Sequence, residues 1–271
     1  MGVFFLFLLA LAVGVLTTLF FIPEPDLGRG YFQMNALVVL GLLGLAAAVA
    51  LLHPLRPFGA AARPGGVALG AGLAASFLYY AAVVRERWTL GRGAATLALS
   101  AAAGALWLAG FQLTPDAVPL PHRPALLAAG LGASALFLGW SLTTMLLGHW
   151  YLVAPRLAFR HLVVFCWILL AVTALRGATI AASLAGAAGV DPLAEPHPLR
   201  LVAGLAGQGM FFWFRLLWGL VGPLVLAAMA LHCARRRSNQ SATGILYVLV
   251  VGAFIGEITA LYLILTTGVP V

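Results

Sequence analysis

The sequence predicts an all-α integral membrane protein, a single bundle of about eight transmembrane helices, and three observations carry that reading. The first is composition: 63% of the 271 residues are hydrophobic and 8% are charged, with a mean hydropathy of +1.07. Such a balance leaves too little polar surface to cover a water-soluble globule. The second is run length. A hydrocarbon layer ~30 Å thick takes about 20 helical residues to cross, and eight apolar runs approach or exceed that length. The third is the absence of a two-residue alternation along those runs. Barrel strands need that alternation, so backbone groups in lipid must be satisfied inside helices.

The runs lie near 3–22, 32–53, 66–84, 93–113, 125–148, 162–187, 203–232 and 243–267. The first, "MGVFFLFLLALAVGVLTTLFFIPEP", has no basic residue ahead of it and no small-residue cleavage box, so it is expected to be a retained helix rather than a signal peptide. The fifth carries Gly130, Ser134, Ser141 and Gly148 as a small-residue seam that lets another helix come close. In the seventh, Pro223 removes a backbone donor and is expected to bend the helix near Gly219 and Gly222. The connections ("HPLRPFGAAARPGG", "TPDAVPLPHRP", "DPLAEPHPLR") are short and rich in Pro and Gly, which makes residues 1–271 one membrane domain.

All 15 basic residues are Arg. If the helices alternate, Arg29, Arg85, Arg87, Arg92, Arg156, Arg160, Arg235, Arg236 and Arg237 fall on one side, against Arg56, Arg63, Arg123 and Arg200 on the other. The positive-inside rule then places the "CARRRSNQSA" loop in the cytoplasm and both termini outside, in a bacterial inner membrane. Asp116, Asp191 and Glu195 fall on the outer side. Arginines set at helix ends in this way are topology signals rather than the solvated stripe that nucleic acid needs. Cys166 and Cys233 have no disulfide or CxxC spacing.

Three charges interrupt the apolar runs: Arg176, Arg215 and Glu257. At 1.5 Å per residue from the cytoplasmic helix ends they lie about 22, 27 and 21 Å deep, at one level in the outer half. Charge at that depth persists when it is paired, solvated or useful. Gln208 precedes Arg215 by seven residues, and Ser183 follows Arg176 by seven, with Thr173 and Thr179 on either side, so each helix turns a polar stripe inward. One reading is a structural lock of three helices. The other is a ligand site: two cations against one anion leave a spare donor suited to a quinone carbonyl, an anionic headgroup or an anionic solute. Phe211, Phe212, Trp213, Trp218 and Tyr262 could wall it.

No imidazole sits mid-helix, which argues against a b-type haem. His149, His161 and His232 fall at cytoplasmic helix ends near Cys166 and Cys233, and a metal or peripheral haem there is the alternative. His53, His122 and His197 belong to the outer side. P-loop, dinucleotide, HExxH and GxSxG motifs are missing, as are paired catalytic carboxylates, so no catalytic residue is assigned.

The last two helices, "FRLLWGLVGPLVLAAMALH" and "ILYVLVVGAFIGEITALYL", resemble the end of the dimethyl sulfoxide reductase membrane-anchor family, related in role to the NrfD-type subunits. The resemblance covers some 55 residues and rests on Arg215, Gly256 and Glu257. It implies about eight helices, no haem and a quinone-interacting subunit with no redox centre of its own. The expectation is therefore a membrane anchor of a respiratory or redox complex, embedded in lipid and bound to membrane and peripheral partner subunits. Its candidate quinone residues are Arg215, Glu257, Arg176 and Gln208, with no covalent cofactor. A small permease or channel for an anion or proton is the chief alternative, and a purely structural scaffold the third.

Overall fold

The computed structural model describes residues 1–21, 24–52, 57–116, 118–153, 160–193, 196–205 and 207–271. His53, Arg56, Arg156 and Glu195 lie outside the described residues. The chain forms α1 (Gly2–Thr18), a short α2 (Glu24–Leu27), α3 (Arg29–Leu52), α4 (Ala62–Val84), α5 (Trp88–Leu113), α6 (Arg123–Val153), α7 (Arg160–Ala188) and a short α8 (Pro198–Ala203). It continues with α9 (Gln208–Leu216), a π-helical segment Leu217–Val221, α10 (Gly222–Arg235) and α11 (Asn239–Thr267). The described residues contain no strand.

Seven segments are long and apolar enough to cross a membrane. They are α3, the segment Gly59–Val84 containing α4, α5, α6, α7, Gln208–Arg235 and α11. The apolar α1 is shorter, at 17 residues. Its rise of about 25 Å is close to a hydrocarbon thickness. Large apolar side chains such as Leu37, Phe77, Leu97, Leu217 and Val248 point out of the bundle, as expected where lipid rather than water is the solvent. The run expected at 203–232 is not one regular helix. Pro198–Ala203 stands apart, the span begins at Gln208, and a π segment interrupts it. Pro223 is the second residue of α10, which follows that segment directly, so the irregularity falls at the predicted place and takes the form of a widened turn.

α1 is the centre. Thirteen of its residues are buried, because it touches α3, α5, α6 and α11. The tightest approach is to α6: a Cβ on Gly139 would lie 2.0 Å from the Gly14 carbonyl carbon. Only two glycines allow backbones to meet in this way.

The bundle has two chemically distinct ends. At the arginine-rich end Arg29 meets Glu86 at 3.3 Å, and Asp26 bridges Arg160 at 2.8 Å and His161 at 2.9 Å. The Arg160 guanidinium, hydrogen-bonded to Asp26, holds that carboxyl below its ordinary value. Arg235 stacks over Trp167 at 4.9 Å. At the opposite end Gly2 packs beside Leu113 and Leu265, so α1 begins where α5 and α11 finish. There Arg123 donates to the carbonyls of Thr114 (3.1 Å) and Pro115 (2.7 Å).

Candidate functional site

Helices α6, α7, α9 and α11 bring the three membrane charges into direct contact. Arg176 on α7 donates from Nε to Glu257 Oε1 (3.0 Å) and from Nη2 to Oε2 (3.2 Å). Arg215 on α9 donates from Nη2 to the same Oε1 (3.3 Å). Ser134 on α6 donates its hydroxyl to Oε2. Each carboxylate oxygen thus receives two donors, and Arg176, Arg215 and Glu257 are at most 1% exposed. Charge-assisted hydrogen bonds of this kind offset part of the desolvation that burial imposes.

Backbone proximity makes the contact possible. Gly219 in the π segment and Gly256 on α11 cross so closely that a Cβ on Gly256 would stand 2.2 Å from Gly219 Cα. One turn earlier on α11, a Cβ on Gly252 would stand 3.2 Å from the carbonyl oxygen of Trp218. The two glycines, four residues apart, form the smooth strip that seats α11 against the π segment. Glu257 follows Gly256 directly, and Arg215 precedes the π segment by two residues. The sequence depth of Arg215 differs from the others by about one helical turn, and its long side chain spans that offset.

The guanidiniums differ in what else they bind. Arg176 also donates to Thr179 Oγ1 (3.4 Å) and to the backbone oxygen of Val271 (3.2 Å). Arg215 keeps two buried nitrogens, Nε and Nη1, without a hydrogen-bond partner. Buried donors are nearly always paired, so these two mark a place where something further can be bound.

Beyond the charges, toward the arginine-poor end, Val118, Ile180, Val202, Phe212, Leu263, Val269 and Val271 form a separate apolar cluster. They come from the α5–α6 connection, α7, α8, α9, α11 and the tail, and they cap the site from that end. Gly268 turns the tail back at φ +78°, where a Cβ would lie 2.6 Å from the Pro115 carbonyl oxygen.

Gln208 lies half-buried at the start of α9 and donates to Tyr262 Oη (3.4 Å), while its Oε1 has no partner. Phe211 stacks edge-on against Tyr262, centroids 5.4 Å apart. Beside them Met210, Phe211, Phe214 and Thr259 line a groove of about 320 Å³ between α9 and α11, open on the outer face of the bundle. Of the predicted aromatic walls, Phe211 lines this groove, Phe212 sits in the cap, and Trp213 and Trp218 face outward. Gln208 therefore pairs with Tyr262 rather than joining the charge contacts.

The predicted seam on α6 packs within this chain. Gly130 adjoins Pro270 and Gly148 adjoins Thr243, and Ser134 does more than pack, since it binds Glu257. Two site members were missed by sequence reasoning: the Ser134 hydroxyl and the Val271 backbone oxygen. The seven-residue spacing of Ser134 and Ser141 carried a signal for the first; the second has none.

The histidines do not assemble. His149 Nδ1 pairs with Tyr247 Oη at 3.1 Å, His161 is engaged by Asp26, and His232 is exposed. Among the described residues no three His, Cys, Asp or Glu side chains group as metal ligands would. No protein-family model matches the chain, and no curated protein matches it.

Proposed function

We propose that this chain is a membrane-anchor subunit of a multi-subunit redox complex, with a quinone-interacting site at the α9/α11 groove. The observation that carries the quinone reading is the pair of unpartnered, buried nitrogens on Arg215, beside a carboxylate, on the helix whose Met210, Phe211 and Phe214 line the groove. A quinone travels in lipid, so its site must open sideways and be largely apolar, with a few placed polar groups. Arg215 supplies the donor for one carbonyl, Gln208 and Tyr262 border the ring, and Glu257 carries a proton to or from the reduced form. The anchor reading is supported by the apolar exterior and short connections, which suit a subunit whose partners supply the redox centres.

The test is binding rather than turnover. The chain in lipid nanodiscs, loaded with decylubiquinone, is expected to retain it, and Arg215→Leu to weaken retention about 10- to 100-fold, the worth of a hydrogen bond from a charged donor. Arg215→Leu leaves the Arg176–Glu257 pair intact, so it should still fold. Equal retention by both proteins overturns the quinone site. Co-purification of iron-, molybdenum- or haem-bearing subunits tests the anchor role.

A second reading is favoured by a specific observation: both Glu257 oxygens are saturated by protein donors. On that reading the three charges are a lock that fixes α7, α9 and α11, and the chain is a structural scaffold.

A further inference from the structure

Hydroxyls inside membrane helices ordinarily bond back to the preceding turn. Ser76, Thr143, Thr144, Thr173 and Thr267 all do so here, each to the carbonyl four residues earlier. Four buried hydroxyls depart from this habit. Ser134 turns to Glu257, while Ser141, Thr243 and Ser183 have no partner at all. Each of the three is at most 1% exposed. A buried hydroxyl that declines its own helix and finds no other protein group is a place for ordered water.

Two of these three share one interface with Glu257. Ser134 faces Glu257 at one point of the antiparallel α6/α11 seam, and Gly148 faces Thr243 at another. Ser141 lies seven residues from both Ser134 and Gly148, on nearly the same face of α6. The order along the seam is therefore Glu257, Ser134, Ser141, Thr243. Beside Thr243, on the exposed flank of the seam near the arginine-rich end, stands the hydrogen-bonded His149–Tyr247 pair. Steps of seven residues are about 10 Å, which two or three hydrogen-bonded waters span. The third unpartnered hydroxyl, Ser183, lies on the far side of Arg176, flanked by the cap residues Ile180 and Leu184. Polar groups therefore continue from Glu257 toward the arginine-rich end, and apolar packing closes the opposite one.

We propose that Thr243, Ser141 and Ser134 line a water file along the α6/α11 seam that gives the Glu257 carboxylate proton access from the arginine-rich end. A hydronium at that end gives up its proton to the file, the far water passes one to the Ser134 oxygen, and Ser134 hands its own hydroxyl proton to Glu257, which changes from carboxylate to carboxylic acid; release runs in reverse. Arg176 and Arg215 face Glu257 from α7 and α9 and oppose its protonation, so the proton is held only briefly. The file deepens the quinone reading, in which Glu257 is the proton-carrying group, yet its test needs no quinone, so the two fail separately.

The experiment places a cysteine at Ser141 in a chain whose Cys166 and Cys233 are replaced by Ala. Ag⁺, which travels through water and reacts with thiolates, is added at the arginine-rich end of oriented vesicles. Protection from later alkylation is read by mass. Ser141→Cys and Thr243→Cys are expected to be silvered at least ~100-fold faster than Ala98→Cys, an equally buried control on α5. Ser141→Ala, which removes the hydroxyl without crowding, is expected to slow deuterium exchange of the Arg176 and Arg215 N–H groups bonded to Glu257 by about 10-fold or more in infrared spectra. This second variant decides the matter should the cysteine chain not fold. Silvering no faster than the control, or wild-type exchange in Ser141→Ala, overturns the file.

Discussion

Gly219 and Gly256 meet backbone to backbone, with room for hydrogen alone between them. That crossing lets Arg215 and Glu257, on different helices, share a hydrogen bond. A side chain at either glycine pushes the π segment off α11. Gly256→Ala is expected to destabilise by about 1–3 kcal/mol or more, the usual cost of overpacking, and to lower the apparent Tm in detergent. Gly244→Ala, on the same helix with nothing within 4 Å of its Cβ, should be neutral or gain up to ~1 kcal/mol from helix propensity. Equal losses in both variants would mean that the crossing is not what fixes the site.

Removing the carboxylate should hurt more than removing either arginine. Glu257→Gln strands two buried guanidiniums, at about 3–5 kcal/mol for breaking a buried pair, whereas Arg176→Gln leaves the Arg215–Glu257 contact. Membrane yield and thermal unfolding of the two variants give the order. Ser134→Ala removes one hydrogen bond to a charged group and is expected to cost about 1.5–3 kcal/mol. Normal accumulation of Glu257→Gln would show that the charges do not act as one network.

Asp26 ties the α1–α3 connection to the start of α7 through Arg160 and His161. Its carboxyl titrates below the ordinary value, chiefly through its hydrogen bond with Arg160. A depressed folded-state pKa means that the clasp contributes fully above the unfolded value of about 3.9 and is lost as pH falls through the lower folded value. Thermal stability of wild type should therefore drop between pH 5 and pH 3 by more than that of Asp26→Asn, which has no clasp to lose. Parallel curves would remove Asp26 from the account of acid sensitivity.

Orientation is open to direct measurement. If the arginine-rich end faces the cytoplasm, Ser238→Cys, exposed in the α10–α11 turn, reacts with a membrane-impermeant thiol reagent from the inside only. Leu193→Cys, 87% exposed after α7, reacts from the outside only. The reverse pattern would invert the bundle.

The long apolar segments were legible because run length is fixed by bilayer thickness, and the nearby depths of Arg176, Arg215 and Glu257 because helical rise is fixed. Which polar groups would touch was not. Gln208 shares a face with Arg215, yet the rise of seven residues, about 10 Å, puts it beside Tyr262 instead of the carboxylate. Ser134 looked like a spacer because the choice of a serine hydroxyl between its own helix and a neighbour depends on interhelical register, which no local pattern encodes. The Gly252 and Gly256 spacing was in plain view, but its partner Gly219 lies on a segment whose helical phase the π turn shifts. The cap over the charges depends on tail residues with no periodicity to read.

The enclosure of α1 has a consequence for how the protein is made. α1 is made before the helices it packs against, and its closest neighbour, Gly139 on α6, is synthesised about 125 residues later, roughly 6–25 s at ordinary translation rates. Throughout that interval α1 must stand in lipid or in the insertion machinery without its final partners. A helix apolar on every face, with no charge to satisfy, tolerates that wait. A polar substitution such as Leu9→Asn, harmless to a helix on the bundle's rim, would strike at biogenesis before the finished structure could hide it.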